Sequence, residues 1–546
     1  MGPVTDPVTG EAQPGGPARS SRRAFIRGSG LAAALCGAGA LRAVAAAPAT
    51  GTGAVHKALQ AGPGPHAEIG YLSAAELTAA YRSGALSPVE VLKALYERMD
   101  ALNPLLKAFI PGDPAIPLRD AQASQERWRR NEPLGPLDGV PVSAKHHINV
   151  RGLVTTQSRP PAARLNKIAQ ADDPVVDSLK SGGVIVFAKT TSPESAISHS
   201  GVSTLHGNAP NPWNLTRTSG GSSTGAGIAA AAGIGPLHVG SDGGGSIRGP
   251  SAYCGVYGLK STAYRVAQPN YWNGWSNFGP IARDPLDSAQ LMGLLTRASS
   301  RVPDQVVRPW RDEPITGVVA ELKGARIGFC PWVGDIAPKM SEEPAKATEE
   351  VVALLAACGT RIESVGPFVP DDFWRSAIYG RVVVPMLRGM GNTLPRDEIE
   401  ALSPWHQEML KRSREVPESV SAEEDARFLR IREKLVNPLE TFDYLVVQQF
   451  CGPTQSVDRP WPDYGTLDQR IAFSYDYVLP LWIFNYLGVP AISLPARFTA
   501  DGMPIGVQIV AKPGNDEGLL RLAALLASEM ERPRPWPFRW GAPRAG

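Results

Sequence analysis

Short apolar runs alternate with amphipathic or small-residue segments along most of this chain. Residues 139–145 and 184–187 are mostly apolar and predict short buried strands, and a helical pattern over 175–179 lies between them. Strands buried on both faces need cover on both sides, so this alternation predicts an α/β fold with helices on both faces of the sheet. Further strands are expected at 236–239 and 325–330, two that close the sheet at 493–495 and 506–510, and a last helix at 517–529.

Two helices near residue 80 carry clear start signals. Ser73 followed by Glu76 forms a capping box, and Ser87 followed by Glu90 forms another. The second of these helices is expected to end before Pro104, because proline interrupts the hydrogen bonding of a helix interior.

Two longer stretches differ from this pattern. Residues 222–233 are almost entirely Gly, Ala, Ser and Thr, and a helix of such small residues can pack closely against its neighbours, which predicts a place in the middle of the fold. Residues 335–470 are more polar and mainly helical in pattern. Because no low-complexity linker divides residues 60–546, we predict that they form a single domain.

The first 47 residues are of a different kind. The adjacent Arg22 and Arg23 precede a weakly apolar run over 28–47 that glycines and Arg42 interrupt. This order predicts a twin-arginine export signal, and the run is too short and too broken to span a membrane. A disordered basic tail is the alternative interpretation. With the signal removed, we expect a bacterial periplasmic or extracellular protein without stable membrane insertion.

Composition narrows the class of protein. The 546 residues include 55 Lys and Arg against 52 Asp and Glu, and 43% are hydrophobic, as in ordinary soluble globular proteins. No concentrated basic segment indicates a nucleic-acid partner. Five cysteines in a chain of this length make no disulfide framework. The oligomeric state is not determined by the sequence, and a homodimer is one of the states that it allows.

Candidate chemistry lies in three segments. Lys145 ends a predicted buried strand, a Gly-Gly-Ser-Ser turn covers 220–223, and a Gly-Gly-Gly-Ser turn covers 243–246. Burial disfavours the charged ammonium, so such a lysine can act as a neutral base that takes a proton from a serine hydroxyl. Successive backbone N–H groups in a glycine-rich turn can converge on an oxyanion.

Residues 218–260 strongly resemble the signature of the amidase signature family. Other landmarks of that family are matched in the same order, and the resemblance spans roughly residues 70–530; the landmarks are 139–145, 188–190, 211–213, 279–283 and 488–495. The resemblance implies the amidase-signature fold, with a central mixed twisted sheet. It also implies a hydrolase that cleaves small-molecule carboxylic amides and uses no metal or organic cofactor.

The resemblance also implies roles for particular residues. Ser246 matches the family's nucleophile, Ser222 the bridging serine on a cis peptide, and Lys145 the base. In the implied mechanism, Lys145 draws a proton through Ser222 from Ser246, which forms an acyl-enzyme with the substrate. Gly243, Gly244 and Gly245, together with the N–H of Ser246, correspond to the oxyanion hole.

Some neighbouring residues depart from the family pattern or are assigned supporting roles. His146 follows the lysine where the family commonly has Asp, and its effect on catalysis is not evident from the sequence. The adjacent His146 and His147 suit a metal site poorly, because neighbours on an extended segment point apart. Ser223, Asp242 and Arg248 are expected to support the site without reacting.

Several alternatives stay open at this level. The same machinery can cleave esters or carbamates, and a noncatalytic exported binding protein or an amidotransferase subunit could share the fold. Gly221–Gly225 also matches the G-x-S-x-G pattern, which would make Ser223 a nucleophile with His406 as its base. Residues 335–470 are expected to be variable and to form part of the substrate pocket. Trp272 and Trp275 would either line this pocket or pack in the core.

Overall fold

The computed structural model describes residues 68–160, 167–269, 274–302, 305–306, 308, 310, 322–337, 340–370, 383–452, 454–458, 467–530 and 536–537. The predicted export signal and Trp272 lie outside these described residues. Residues Ala58–Gly546 form one compact unit.

A mixed sheet of 11 strands runs through the described part of the chain. In chain order the strands are β1 (Phe109–Ile110), β2 (Pro141–Lys145), β3 (Ile185–Thr190), β4 (Leu237–Asp242), β5 (Tyr257–Lys260), β6 (Asn277–Ala282), β7 (Arg326–Cys330), β8 (Arg361–Ser364), β9 (Tyr444–Gln448), β10 (Ala491–Phe498) and β11 (Pro504–Ala511). Across the sheet they lie in the order β1-β3-β2-β4-β6-β5-β10-β11-β9-β7-β8.

Strand direction divides the sheet into two parallel groups. β2 pairs in parallel with β3 and β4, and β7 pairs in parallel with β8 and β9, whereas the remaining pairs are antiparallel. Every residue of β2, β4, β6 and β11 is buried. Because successive side chains of a strand point to opposite faces, both faces of the sheet are covered there. The predicted α/β class is confirmed.

Helices connect and cover these strands. In chain order they are α1 (Ala74–Ser83), α2 (Pro88–Leu106), α3 (Ala115–Arg129), α4 (Pro174–Ser181), α5 (Thr224–Ala231), α6 (Arg248–Cys254), α7 (Pro285–Leu295), α8 (Glu342–Ala357), α9 (Val384–Thr393), α10 (Arg396–Glu400), α11 (Pro404–Glu415), α12 (Ser419–Thr441), α13 (Leu467–Tyr486) and α14 (Asp516–Glu529). Of the helices described, none is long and apolar enough to cross a membrane.

The predicted helix starts are confirmed, but one predicted end is wrong. Ser73 and Glu76 make both bonds of a capping box at α1, and Ser87 and Glu90 do the same at α2. Pro104 lies inside α2 rather than beyond it. It lies in the last turn, where its missing N–H removes one backbone hydrogen bond, and Lys107 then ends the helix in the left-handed conformation.

The small-residue helix α5 is buried along its whole length, as its composition predicts. Its contacts leave no room for larger side chains, because a Cβ atom placed on Gly225 would lie 2.0 Å from the Ala108 carbonyl oxygen. This close approach holds the turn that precedes α5 against the sheet.

The carboxyl-terminal half of the sheet differs from the prediction in two respects. β10 and β11 lie in the middle of the sheet rather than closing it, and β8 forms the edge. Residues 335–470 are mainly helical, but they also contribute β8 and β9. The run Tyr444–Gln448 contains adjacent valines and a leucine, a strand signal that the overall polarity of the region concealed. Helices α9 to α12 of this region pack with β7, β9 and α13 into a second apolar core, whereas α8 packs in the first.

Candidate active site

The three segments singled out in the sequence meet at the carboxyl ends of β2 and β4. Lys145 is the last residue of β2, and β4 ends at Asp242 just before the glycine turn. Because β2 and β4 are adjacent parallel strands, their carboxyl ends lie side by side. The turn before α5 brings Ser222 to the same place, with its Oγ 2.7 Å from Lys145 Nζ.

Lys145 is fully buried and contacts hydroxyl groups rather than a carboxylate. Its Nζ lies 3.0 Å from Ser241 Oγ in addition to its contact with Ser222. Burial lowers the pKa of Lys145 to about 7, although the charge of Asp242 opposes this shift. A large fraction of this lysine is therefore neutral near neutral pH and able to accept a proton.

Two other buried lysines show that burial alone does not define the site. Burial likewise lowers the pKa of Lys189 and of Lys260 to about 7. Lys189 donates to the carbonyl of Ile148, and Lys260 donates to that of Ser261. Only Lys145, of these three, lies against serine hydroxyls that line a cavity.

The cavity has a volume of about 190 Å³, and Ser222, Ser246, Gly243 and Gly244 form part of its wall. The Gly221–Ser222 peptide bond is cis. The two serine turns are joined by the Ser223 N–H, which donates to the Ser246 carbonyl at 3.0 Å. The Ser246 hydroxyl has no hydrogen-bond partner among the residues described. The structure thus brings Lys145 and Ser222 into contact and places Ser246 on the same cavity wall.

The Asp242 carboxylate fixes the backbone conformation of the glycine turn. It accepts hydrogen bonds from the backbone N–H groups of Gly245 at 2.7 Å and Ile247 at 3.1 Å. The Gly245 N–H is therefore committed to Asp242, which corrects the expectation that it is free to bind an oxyanion. The N–H groups of Gly243, Gly244 and Ser246 donate to no other residue within the described ranges.

Asp242 is paired with Arg248, and both side chains are fully buried 2.9 Å apart. Burial alone would raise the pKa of Asp242, but the Arg248 guanidinium and the backbone donors outweigh it and hold that pKa well below its usual range. Arg248 also donates to Gln508 and Asn485. Neither member of this ion pair lines the cavity.

The structure does not support Ser223 as a nucleophile with His406 as its base. The Ser223 hydroxyl is buried and donates to the Ser241 carbonyl at 3.1 Å. His406 instead pairs with Glu194, with Nδ1 2.7 Å from the carboxylate. The two side chains therefore have separate partners, and the alternative based on the G-x-S-x-G pattern is wrong.

His146, which stands where the family commonly has Asp, is a neutral side chain that forms hydrogen bonds with Thr156 and Ser158. The Thr156 N–H donates to its Nε2 at 3.1 Å, so its Nδ1 carries the proton and donates to Ser158 Oγ at 2.7 Å. Burial lowers the pKa of His146 well below its usual value. His147 lines the cavity, and burial lowers its pKa in the same way. No group of three His, Cys, Asp or Glu side chains arranged for a metal occurs among the described residues.

Sequence reasoning did not identify most of the cavity wall. The cavity also has an extensive apolar lining, whose residues come from the 335–470 region and from α13: Val383, Met386, Trp405, Met409, Val478 and Trp482. Apolar residues that line a cavity follow the same local pattern as core residues, so no signal in the sequence distinguishes them. Trp275 packs behind the glycine turn, where its indole N–H donates to the Gly243 carbonyl.

Comparison with known proteins agrees with this geometry. Residues 90–520 match the family model described as Amidase. An acylamidase from Rhodococcus erythropolis is 31% identical over 477 residues, which cover 85% of this chain and 96% of that protein. The 6-aminohexanoate-cyclic-dimer hydrolase from Paenarthrobacter ureafaciens is 31% identical over 484 residues, which cover 84% of this chain and 94% of that protein.

Among solved structures, the chain is similar to 6-aminohexanoate cyclic dimer hydrolase complexed with substrate. The match has a TM-score of 0.75 at 28% identity and covers 86% of this chain and 99% of that one. The fold expected from the resemblance is confirmed. The chain belongs to the amidase signature family and is an enzyme that hydrolyses the C–N bond of carboxylic amides.

Proposed function

We propose that this enzyme is a serine hydrolase in which Ser246 is the nucleophile, Ser222 relays the proton and Lys145 is the base. The observation that carries this proposal is the fully buried Lys145 amine 2.7 Å from Ser222, on a cavity whose wall also holds Ser246. A serine hydroxyl is a weak nucleophile until a neighbouring base takes its proton, and a desolvated lysine can be that base.

The proposed reaction proceeds through two acyl transfers. Ser246 Oγ attacks the amide carbonyl carbon and gives its proton to Ser222, whose own proton passes to Lys145. The tetrahedral intermediate collapses as the C–N bond breaks, and Lys145 returns the proton through Ser222 to the leaving amine. Water then attacks the Ser246 ester and gives its proton through Ser222 to Lys145. The proton returns by the same path to Ser246 Oγ as the acid is released.

The N–H groups of Gly243, Gly244 and Ser246 are the proposed donors to the oxyanion. They lie at the turn that carries the nucleophile and are free of other described partners. Donors fixed in position before the reaction stabilise the developing charge without reorganisation at that moment. Gly245 is left out of this set because its N–H donates to Asp242.

The cavity favours uncharged, largely apolar amides. None of the described residues that line it is Asp, Glu, Lys or Arg, and the six apolar side chains named above form much of its lining. A charged substrate group would lose its hydration there without gaining a partner. A free amino acid carries two charged groups, so the cavity argues against a free amino acid as the amide substrate. It argues in the same way against an amidotransferase role. Esters and carbamates of similar shape fit the same machinery.

We also propose that residues 1–47 export the folded enzyme by the twin-arginine route. The support for this proposal is the order of the arginine pair, the weakly apolar run and the small residues in the sequence.

Replacing the nucleophile or the base is expected to abolish amide turnover. Ser246→Ala and Lys145→Met should each lower kcat/KM for butyryl para-nitroanilide by more than ~10²-fold, because each removes a group that acts on the proton or carbonyl. Lys189→Met removes another buried lysine and should leave kcat/KM nearly unchanged. Lys145→Met should also raise the melting temperature, since it relieves the desolvation of an amine. Full activity in Ser246→Ala would refute the assignment.

The activity should rise with pH through neutrality. The neutral form of Lys145 is the active one, and its pKa is lowered to about 7, so kcat/KM should increase about tenfold per pH unit below that value and level off above it. A pH profile of kcat/KM for the same anilide measures this. Lys145→Arg, which stays charged, should be inactive throughout the range. A profile that falls between about pH 6 and pH 8 would contradict a neutral lysine base.

A charge on the acyl group should be rejected. Butyryl and succinyl para-nitroanilides have the same chain length, but the second carries a terminal carboxylate. We expect kcat/KM to be at least ~10-fold lower for the succinyl compound, because the carboxylate is desolvated without a partner. Equal values for the two compounds would show that the cavity supplies a cation.

Export should depend on the arginine pair. The double variant Arg22→Lys with Arg23→Lys should stay in the cytoplasm of a bacterial host at its full precursor size. Arg27→Lys, outside the pair, serves as the matched control and should be exported. Cell fractionation with immunoblotting makes the comparison, and an unchanged distribution in the double variant would overturn the export proposal.

A further inference from the structure

Two side chains donate hydrogen bonds to consecutive backbone carbonyls at the start of the glycine turn. Asn485 Nδ2, on α13, donates to the Asp242 carbonyl at 2.6 Å. The Trp275 indole N–H, just before β6, donates to the next carbonyl along the chain, that of Gly243. Asn485 Nδ2 also donates to the Trp275 backbone carbonyl at 3.3 Å, so the two residues that hold these carbonyls are hydrogen-bonded to each other.

These two hydrogen bonds determine where the N–H groups of Gly243 and Gly244 point. In a planar trans peptide the C=O and the N–H point in opposite directions, and both peptide bonds here are trans. Holding the carbonyls of Asp242 and Gly243 therefore turns the N–H groups of Gly243 and Gly244 each away from the donor that holds its own peptide. Both glycines line the cavity, and neither N–H has another described partner.

The indole that makes this contact is itself held in place. Its ring packs edge-on against Tyr486, with centroids 5.2 Å apart, and lies 6.1 Å from the ring of Trp482. Trp482 in turn covers Gly244, where a Cβ atom would lie 2.6 Å from the Trp482 ring. The packing leaves the Trp275 N–H little freedom to move away from the Gly243 carbonyl.

We propose that Trp275 is a positioning residue for the oxyanion hole, acting through the Gly243–Gly244 peptide. It holds the Gly244 N–H toward the cavity, and its hydrogen bond to the carbonyl of the same peptide polarises that N–H as charge develops on the substrate oxygen. The proposal rests on the proposed function, because it requires a tetrahedral intermediate formed on Ser246.

The test removes the indole N–H and keeps the ring. Trp275→Phe should lower kcat for butyryl para-nitroanilide by roughly 10-fold and leave KM within about twofold. Loss of a direct oxyanion donor costs ~10²–10³ in kcat, and Trp275 acts one step removed. Trp128→Phe is the matched control, because the Trp128 indole N–H also donates to a backbone carbonyl, that of Asp138, and Trp128 does not line the cavity.

A pair of inhibitors distinguishes the loss of oxyanion stabilisation from a general distortion of the cavity. A phenyl-substituted trifluoromethyl ketone forms a tetrahedral adduct with a serine nucleophile, whereas the matching alcohol only occupies the cavity. In Trp275→Phe the inhibition constant of the ketone should weaken by about the same factor as kcat, and that of the alcohol should not change. Equal weakening of both inhibitors, or an unchanged kcat, would overturn the proposal.

Two further measurements distinguish failure of the positioning role from a variant that does not fold and from failure of the nucleophile assignment. If Trp275→Phe does not fold, replacing Trp275 with benzothienylalanine keeps a bicyclic ring without the N–H, and the same split between kcat and KM is expected. Ser246→Ala is assayed in parallel. If Ser246→Ala is inactive while the Trp275 variants behave as wild type, the positioning role fails and the nucleophile assignment stands. If Ser246→Ala is active, the nucleophile assignment itself fails.

Discussion

The exclusion of water from Lys145 is the constraint on which the site depends. In water the ammonium of a lysine keeps its proton at neutral pH and cannot act as a base. Here every residue of β2 is buried, and among the described residues the lysine at its end forms hydrogen bonds to two hydroxyls and a carbonyl. Burying an amine opposes folding, and the extensive apolar core of the two halves of the sheet offsets that cost.

The site separates groups that stay charged from groups that stay neutral. Asp242 and Arg248 form a charged pair that is fully buried and shapes the backbone of the glycine turn. Burial lowers the pKa of Lys145 to about 7 and those of His146 and His147 well below their usual value, so near neutral pH the two histidines are uncharged and a substantial fraction of the lysine is neutral. A histidine in place of the family's usual Asp therefore adds no charge beside the base.

The glycine turn is held by two sets of hydrogen bonds, and each set has its own consequence. From within, Asp242 draws the Gly245 N–H toward itself and so removes it from the cavity. Asn485 and Trp275 donate to two carbonyls of the turn, and this directs the N–H groups of the same two peptides away from these donors. The turn needs glycine at 244 because the Trp482 ring occupies the space of a side chain.

The sequence by itself determined the α/β class, the helix caps and the three reactive segments. Apolar periodicity, capping residues and glycine-rich turns are local signals, and they depend only on neighbouring residues. Lys145 at the end of an apolar run already predicted a desolvated amine. Tertiary structure decided what surrounds it. Asn485 meets Asp242 across 243 positions, and Arg248 meets Gln508 across 260. Contacts between such distant residues, and the difference between a cavity wall and a core, exist only after the sheet has assembled.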